Sequence, residues 1–211
     1  MLIDIHTHQF TGRQIEVVSR TFGDIVENYF SFGILPWEAE KWKSKVSEIR
    51  LNADNEKCLA LGEIGLDKLK GPDLELQKEI FIQQVAISEE IGLPVILHCV
   101  RSWNELKQLK RILNPKQQWI FHGFTKVSIL DEVLEEGIMI SIGAAILTNL
   151  KLQEKINTIP INRLFLETDA AEVPIESIYD KVSELIHLPL PQLEAQIEAN
   201  FKRIFTKWTI G

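Results

Sequence analysis

Five short apolar runs in this 211-residue chain carry a histidine or a carboxylate at or near their ends, and that arrangement restricts the possible folds more than any other feature. The runs are LIDIHTH with His6 and His8, CLALGE with Glu63, PVILH with His98, WIFH with His122 and RLFLETD with Asp169. Apolar stretches of this length predict buried strands. An imidazole or carboxylate buried there without a partner costs several kcal/mol, so these polar ends must meet one another or a common ligand.

Strands that place their C-terminal ends together are parallel strands, and the spacing of the runs agrees. LIDIHT, IEVVSRT, YFSFGIL, CLALGEI, PVILHC, WIFHGF, IMISIG and RLFLETD make eight strand candidates. From residue 57 onward they alternate with segments of helical period, as strand-helix units around a parallel sheet require. PDLELQKEIFIQQVAISEEIG is predicted as a helix with Pro72 near its start and Gly92 at its end. SWNELKQLKRIL is predicted as a helix capped by Ser102, with Glu105 completing a capping box. SILDEVLEEG and LKLQEKIN are short helices, and IESIYDKVSELIH and PQLEAQIEANFKRIFTKW follow near the C-terminus. In the first forty residues the strand candidates lie too close together for full helical crossovers. The expectation is an α/β chain folded as a distorted (β/α)8 TIM-like barrel, with helices missing from its first units and one domain over residues 1–211.

Composition narrows the setting. With 45% hydrophobic and 25% charged residues, the chain can bury one sizeable core. No segment approaches the ~20 apolar residues that cross a bilayer, and MLIDIHTHQF lacks a basic region followed by a long apolar stretch, so a soluble cytoplasmic protein is expected. Cys58 and Cys99 both lie in apolar runs and read as buried reduced thiols. A net charge of −7 and a pI near 5.3 argue against a protein that coats nucleic acid through bulk positive potential, but not against an enzyme that holds phosphates at a metal site.

In DIHTH, Asp4, His6 and His8 alternate along a strand and so share one face. Each polar residue also has a structural reading of its own. Glu63 could cap the next segment, with Gly62 and Gly65 in a tight turn; Asp169 could be a helix N-cap; His98 and His122 could be core histidines. One arrangement explains all six at once: barrel strands converge at their C-terminal ends, where barrel enzymes keep their chemistry. Four imidazoles and two carboxylates meeting there suffice for two divalent cations with positions left open for water and substrate. His187, on an amphipathic helix near Pro189, has no place in this pattern and reads as structural.

Taken in order, DIHTH, GEIGLD, PVILH, FHGF, LFLETDA and NFKRIF resemble the TatD family of metal-dependent hydrolases over nearly the whole chain. The resemblance implies a distorted barrel of the metallo-dependent hydrolase type, two divalent metals and hydrolysis of phosphodiesters, deoxyribonuclease activity included. It implies that His6, His8 and Asp169 hold one metal, that His98 and His122 hold the other, and that Glu63 bridges them. The chain also departs from the family. A GxHP segment is usual there, whereas this chain has GILP with Leu35 in the histidine's place, and Arg101 stands one residue beyond the commonest spacing after His98. Leucine neither ligates a metal nor donates a proton.

On this reading Glu63 sets the spacing of two metals that activate a shared water, while Asp169 holds that water and takes its proton. Arg101 and Lys126 are candidates to meet phosphate oxygens, although each also reads as a solvated surface charge. Zinc suits the histidines, and manganese or magnesium suits the carboxylates. The expected substrate is a phosphodiester, with single-stranded DNA or DNA ends preferred over duplex interiors because no extended basic track is present. Two alternatives stay open: a hydrolase of small amides, lactones or phosphate esters, and a metal-binding scaffold without catalysis.

Overall fold

The computed structural model describes residues 1–12, 15–20 and 28–208. Its strands are β1 (Ile3–Thr7), β2 (Ile15–Arg20), β3 (Phe30–Phe32), β4 (Cys58–Asp67), β5 (Val95–Val100), β6 (Trp119–Phe121), β7 (Met139–Ile142) and β8 (Leu164–Leu166). They stand in chain order in one sheet, and a parallel bridge between Thr7 and Asp169 returns β8 to β1. This succession is the eight-stranded parallel barrel of the α/β class that the sequence predicts.

The helices are α1 (Trp42–Asp54), α2 (Leu74–Ile91), α3 (Trp103–Leu113), α4 (Leu130–Glu135), α5 (Leu150–Lys155), α6 (Ile175–Leu185) and α7 (Leu190–Ile204). No helix precedes Pro36 among the described residues. The expected gap between β2 and β3 falls largely on residues 21–27, outside them. A 3-10 turn over Pro36–Lys41 and then α1 fill the connection from β3 to β4, a helix that the sequence reading does not include. Only Trp42, Ile49 and Ala53 of α1 are buried, a stripe too sparse to stand out as amphipathic period. Gly92 ends α2 in a left-handed conformation as expected, and Asp73 supplies the cap at its start by accepting from the amides of Glu75 and Leu76. Ser102 precedes α3 but does not cap it: its hydroxyl donates to the Leu66 carbonyl at 2.8 Å, and Glu105 pairs with Lys68 instead of closing a box.

The chain divides into two compact units, one of Met1–Val18 with Phe121–Ile204 and one of Ser19–Ile120 with Phe205–Gly211. In the first, polar side chains from the C-terminal helices hold the strands. The buried Tyr179 hydroxyl of α6 accepts from the Ile3 amide at 3.1 Å and donates to the Ile3 carbonyl at 2.9 Å, which fixes the start of β1. Asn200 of α7, also buried, donates to the carbonyls of Ile161 and Leu164 at the start of β8. His187 lies past the end of α6 in a left-handed conformation, with φ at 54°.

The second unit is built around β4, all ten of whose residues are buried. The glycines of GEIG lie within this strand and do not form a tight turn, because the strand continues through Glu63 to Asp67. Each allows the neighbouring backbone to come close: a Cβ on Gly65 would stand 1.9 Å from the His98 carbonyl oxygen, and one on Gly62 would stand 2.6 Å from the Ile96 Cβ. A side chain at either position would push β4 and β5 apart.

Removing the Asn200 side chain takes a buried hydrogen bond from the Leu164 carbonyl and a second from the Ile161 carbonyl, which keeps the Leu164 amide as a partner. Asn200→Ala is expected to fold but to lose about 2–3 kcal/mol of stability, measured by urea unfolding. A variant as stable as the wild type would show that the contacts are dispensable.

Candidate functional site

In the first unit, strand pleat and one bridge bring four of the six expected ligands together. His6 and His8 project from β1 and its end on the same face. Asp169 follows β8 in a left-handed conformation, with φ at 54°, and is tied to β1 from both sides: its amide donates to the His6 carbonyl at 2.9 Å, and the His8 amide donates to its carbonyl at 3.1 Å. One Asp169 carboxylate oxygen then lies 3.6 Å from His6 Nε2 and 3.3 Å from His8 Nε2. The His122 ring lies 4.5 Å from the His6 ring, centroid to centroid. Burial alone would raise the Asp169 pKa. Hydrogen bonds from His6 and His8, and the charges of His6 and His122, outweigh it and hold this carboxyl well below the usual carboxylate range.

Two further carboxylates stand around this group: Asp4, already placed on the histidine face of β1, and Glu167, which the sequence reading leaves out. Glu167, fully buried two residues before Asp169, accepts from the Gly123 amide at 2.6 Å and lies 3.4 Å from His122 Nδ1. Asp4 accepts from the Thr168 amide at 3.1 Å and from its hydroxyl at 2.6 Å, which anchors the chain just before Asp169. Burial pushes the Asp4 carboxyl up to about 7, against the lowering effect of the Thr168 hydrogen bonds and with a small further rise from Glu167. A cavity of about 230 Å³ opens beside Asp169 and is lined by Gly123, Gly143, Ala144 and Ala170, small residues that leave space next to the carboxylate.

The second unit holds the other two expected ligands. Glu63 lies midway along β4, and its carboxylate makes a short contact with His98 Nδ1 of β5. His98 Nε2 lies 3.1 Å from the carboxylate of Asp67, four residues further along β4 and on the same face as Glu63. The other Asp67 oxygen accepts from the amides of Leu69 and Lys70. His98 is thus held between two buried carboxylates, one at each ring nitrogen. The spacing Glu63, Gly65, Asp67 has the period of a strand, and that is the signal by which Asp67 could be found. Glu167 and Asp169 carry the same two-residue spacing just after β8.

Arg101 and Lys126 are both exposed, and among the described residues no ion pair or hydrogen bond joins either to a candidate ligand. Arg101 adopts a left-handed conformation directly after β5. Leu35 is half-buried and precedes the 3-10 turn at Pro36.

The donor set suits a divalent cation. His6, His8 and Asp169 each offer a ligand atom, and these atoms all lie within 4.8 Å of one another. Two imidazoles and a carboxylate at that separation match a catalytic metal site with further positions open. Carboxylates on the other ring nitrogens of His98 and His122 are the partners that orient metal-ligating histidines.

Comparison with known proteins identifies the family. The chain matches the TatD related DNase family over residues 3–206. A 3′-5′ ssDNA/RNA exonuclease TatD of Musicola paradisiaca is 31% identical over 176 residues, which are 79% of this chain and 67% of that protein. Its counterpart in Erwinia tasmaniensis is 33% identical over 145 residues, 65% of this chain and 56% of that one. The chain therefore spans between about half and two thirds of the length of such relatives. Among solved structures, YJJV, a TatD homolog from Escherichia coli K12, superposes with a TM-score of 0.75 at 25% identity, covering 84% of this chain and 76% of that one. The chain belongs to the TatD related DNase family.

Asp4 generates a pH prediction for the metal-free protein. Its carboxyl titrates near 3.8 when unfolded and near 7 when folded, so between those values the folded state keeps a proton that the unfolded chain has released. Stability from this group is full below about 4, falls as pH rises, and is lost above about 7. Asp4→Asn is expected to flatten the decline of the thermal midpoint between pH 4 and 7. An unchanged slope would contradict the burial of an ionisable Asp4.

Proposed function

We propose that this chain is a metal-dependent hydrolase of phosphodiester bonds that acts on single-stranded DNA or DNA ends. The observation that carries the reading is the clustering of His6, His8 and Asp169, with the Asp169 carboxyl held ionised beside them. The relatives' description as exonucleases of single-stranded DNA and RNA supports the substrate class.

His6, His8 and Asp169 would hold one divalent metal, and Glu63, His98 and His122 would serve a second, with Glu63 as the bridging ligand. Zinc, manganese and magnesium all suit this donor set. A bound divalent metal brings the pKa of water toward neutrality and offsets negative charge on the phosphoryl group. The protein supplies the rest. Asp169 orients the attacking water and accepts its proton, since one of its oxygens already serves His6 and His8 and its side chain is 41% exposed. Arg101 and Lys126, both exposed, meet the phosphates that flank the scissile bond. With a net charge of −7, affinity comes from local phosphate contacts, so its salt dependence is shallow.

The test compares metal content and turnover. Metal-loaded wild type is expected to hold about two equivalents of metal and to degrade single-stranded DNA. Asp169→Asn is expected to keep its fold and the metal served by Glu63, His98 and His122, while turnover falls ~10²-fold or more. A protein that retains no metal, an Asp169→Asn variant with full metal and full activity, or cleavage of amides or lactones in place of phosphodiesters would contradict the proposal.

A further inference from the structure

Trp37 stands next to His98 with its ring centroid 5.2 Å from the imidazole and the two planes nearly perpendicular. It is half-buried and lies within the 3-10 turn over Pro36–Lys41. Over the indole lies the ammonium of the exposed Lys70, 5.1 Å from the ring centroid. Among the described residues, no carboxylate lies within ion-pair distance of that ammonium.

The two residues come from separate segments, each tied down by a buried amide side chain. Trp37 follows Ile34, whose backbone N–H and C=O are both taken by Gln84 of α2 at 2.7 and 3.1 Å. Lys70 lies in the turn after β4, where Gln77 donates to the carbonyls of Asp67, Lys70 and Pro72 and accepts from the Asp67 amide. Gly71 lets the segments meet: its φ is +89°, and a Cβ there would stand 2.5 Å from the Trp37 Cα. The result is a rigid aromatic ring and an unpaired cation held side by side, adjacent to a candidate metal ligand.

We propose that Trp37 and Lys70 form a nucleotide subsite, in which the base next to the scissile phosphate stacks on Trp37 and Lys70 moves off the ring to take the adjoining phosphate. The chemistry is that of single-strand recognition, in which an aromatic ring takes any base and a nearby cation takes the backbone. A base paired inside a duplex does not present its face to the ring, so the subsite selects unpaired ends. The side chain of Leu35, two residues before Trp37, offers no hydrogen bond, which leaves stacking and charge as the means of recognition.

This inference rests on the nucleic-acid reading above, and the experiment separates the two. Binding of a short single-stranded oligonucleotide to metal-free wild type, Trp37→Ala and Trp37→Phe is measured by anisotropy. Steady-state hydrolysis by the metal-loaded proteins is then followed on the same strand and on one with abasic residues at its 3′ end. Trp37→Ala is expected to raise Kd and KM about tenfold on the normal strand, with kcat little changed, and to match wild type on the abasic strand. Trp37→Phe is expected to recover most of the loss, and Lys70→Ala to raise KM on both strands. A Trp37→Ala protein equal to wild type on the normal strand, or impaired equally on both strands, would overturn the subsite and leave the hydrolase reading standing. A wild type that neither binds nor cleaves any single strand would overturn both.

Discussion

Two backbone hydrogen bonds between the ends of β1 and β8 determine what the first unit can do. Asp169 donates to His6, and His8 donates to Asp169. The side chains of the three residues, 161 or more positions apart in sequence for either histidine and the aspartate, therefore converge as a consequence of strand pairing. Asp169 must take a left-handed conformation to make both bonds, and aspartate is among the few residues other than glycine that do so at modest cost. Directly beside this junction, Asp4 ties down Thr168, so the turn that presents Asp169 is held by backbone and side chain together. Two imidazoles and a carboxylate held this close, without a long loop between them and the strands, meet the need of a metal site for rigid ligands.

The second unit solves the related problem of orienting a ring. An imidazole has two nitrogens, and a histidine that binds a metal through one of them is best fixed by a carboxylate on the other. His98 has carboxylates on both, and the Asp67 oxygen opposite the one facing His98 is occupied by two backbone amides. Asp67 is therefore the anchored partner, and Glu63 is the carboxylate proposed as a metal ligand. In the first unit Glu167 stands in the same relation to His122, held by the Gly123 amide. Asp67 lies on β4 four residues past Glu63, and Glu167 follows β8 two residues before Asp169, so in each unit one segment carries both a candidate ligand carboxylate and the support for a histidine from another strand's end.

Much of this is legible in the sequence because strands of a parallel barrel are apolar, and a buried polar residue among them is conspicuous. All eight strands and their order follow from that contrast, as do the positions of His6, His8, Glu63, His98, His122 and Asp169 on or just after strands. What escapes is whatever depends on tertiary partners. Ser102 has the residue type and spacing of a helix cap, yet the nearby Leu66 carbonyl claims its hydroxyl. Glu63 reads as the end of a strand because GEIG resembles a turn, whereas those glycines serve the close approach of β5. Helix α1 lacks a strong apolar stripe and is invisible to periodicity. Asp67 and Glu167 look like ordinary charged residues near strand ends until the histidines they face are in place.

Four of the chain's five histidines are the proposed metal ligands, and His187 provides an internal control outside the group. The most direct measurement follows the ring-nitrogen resonances of all five by NMR as zinc is added to the metal-free protein. His6, His8, His98 and His122 are expected to shift and saturate, while His187 stays unchanged. Resonances that move for none of the four, or for His187 as much as for the others, would contradict that assignment.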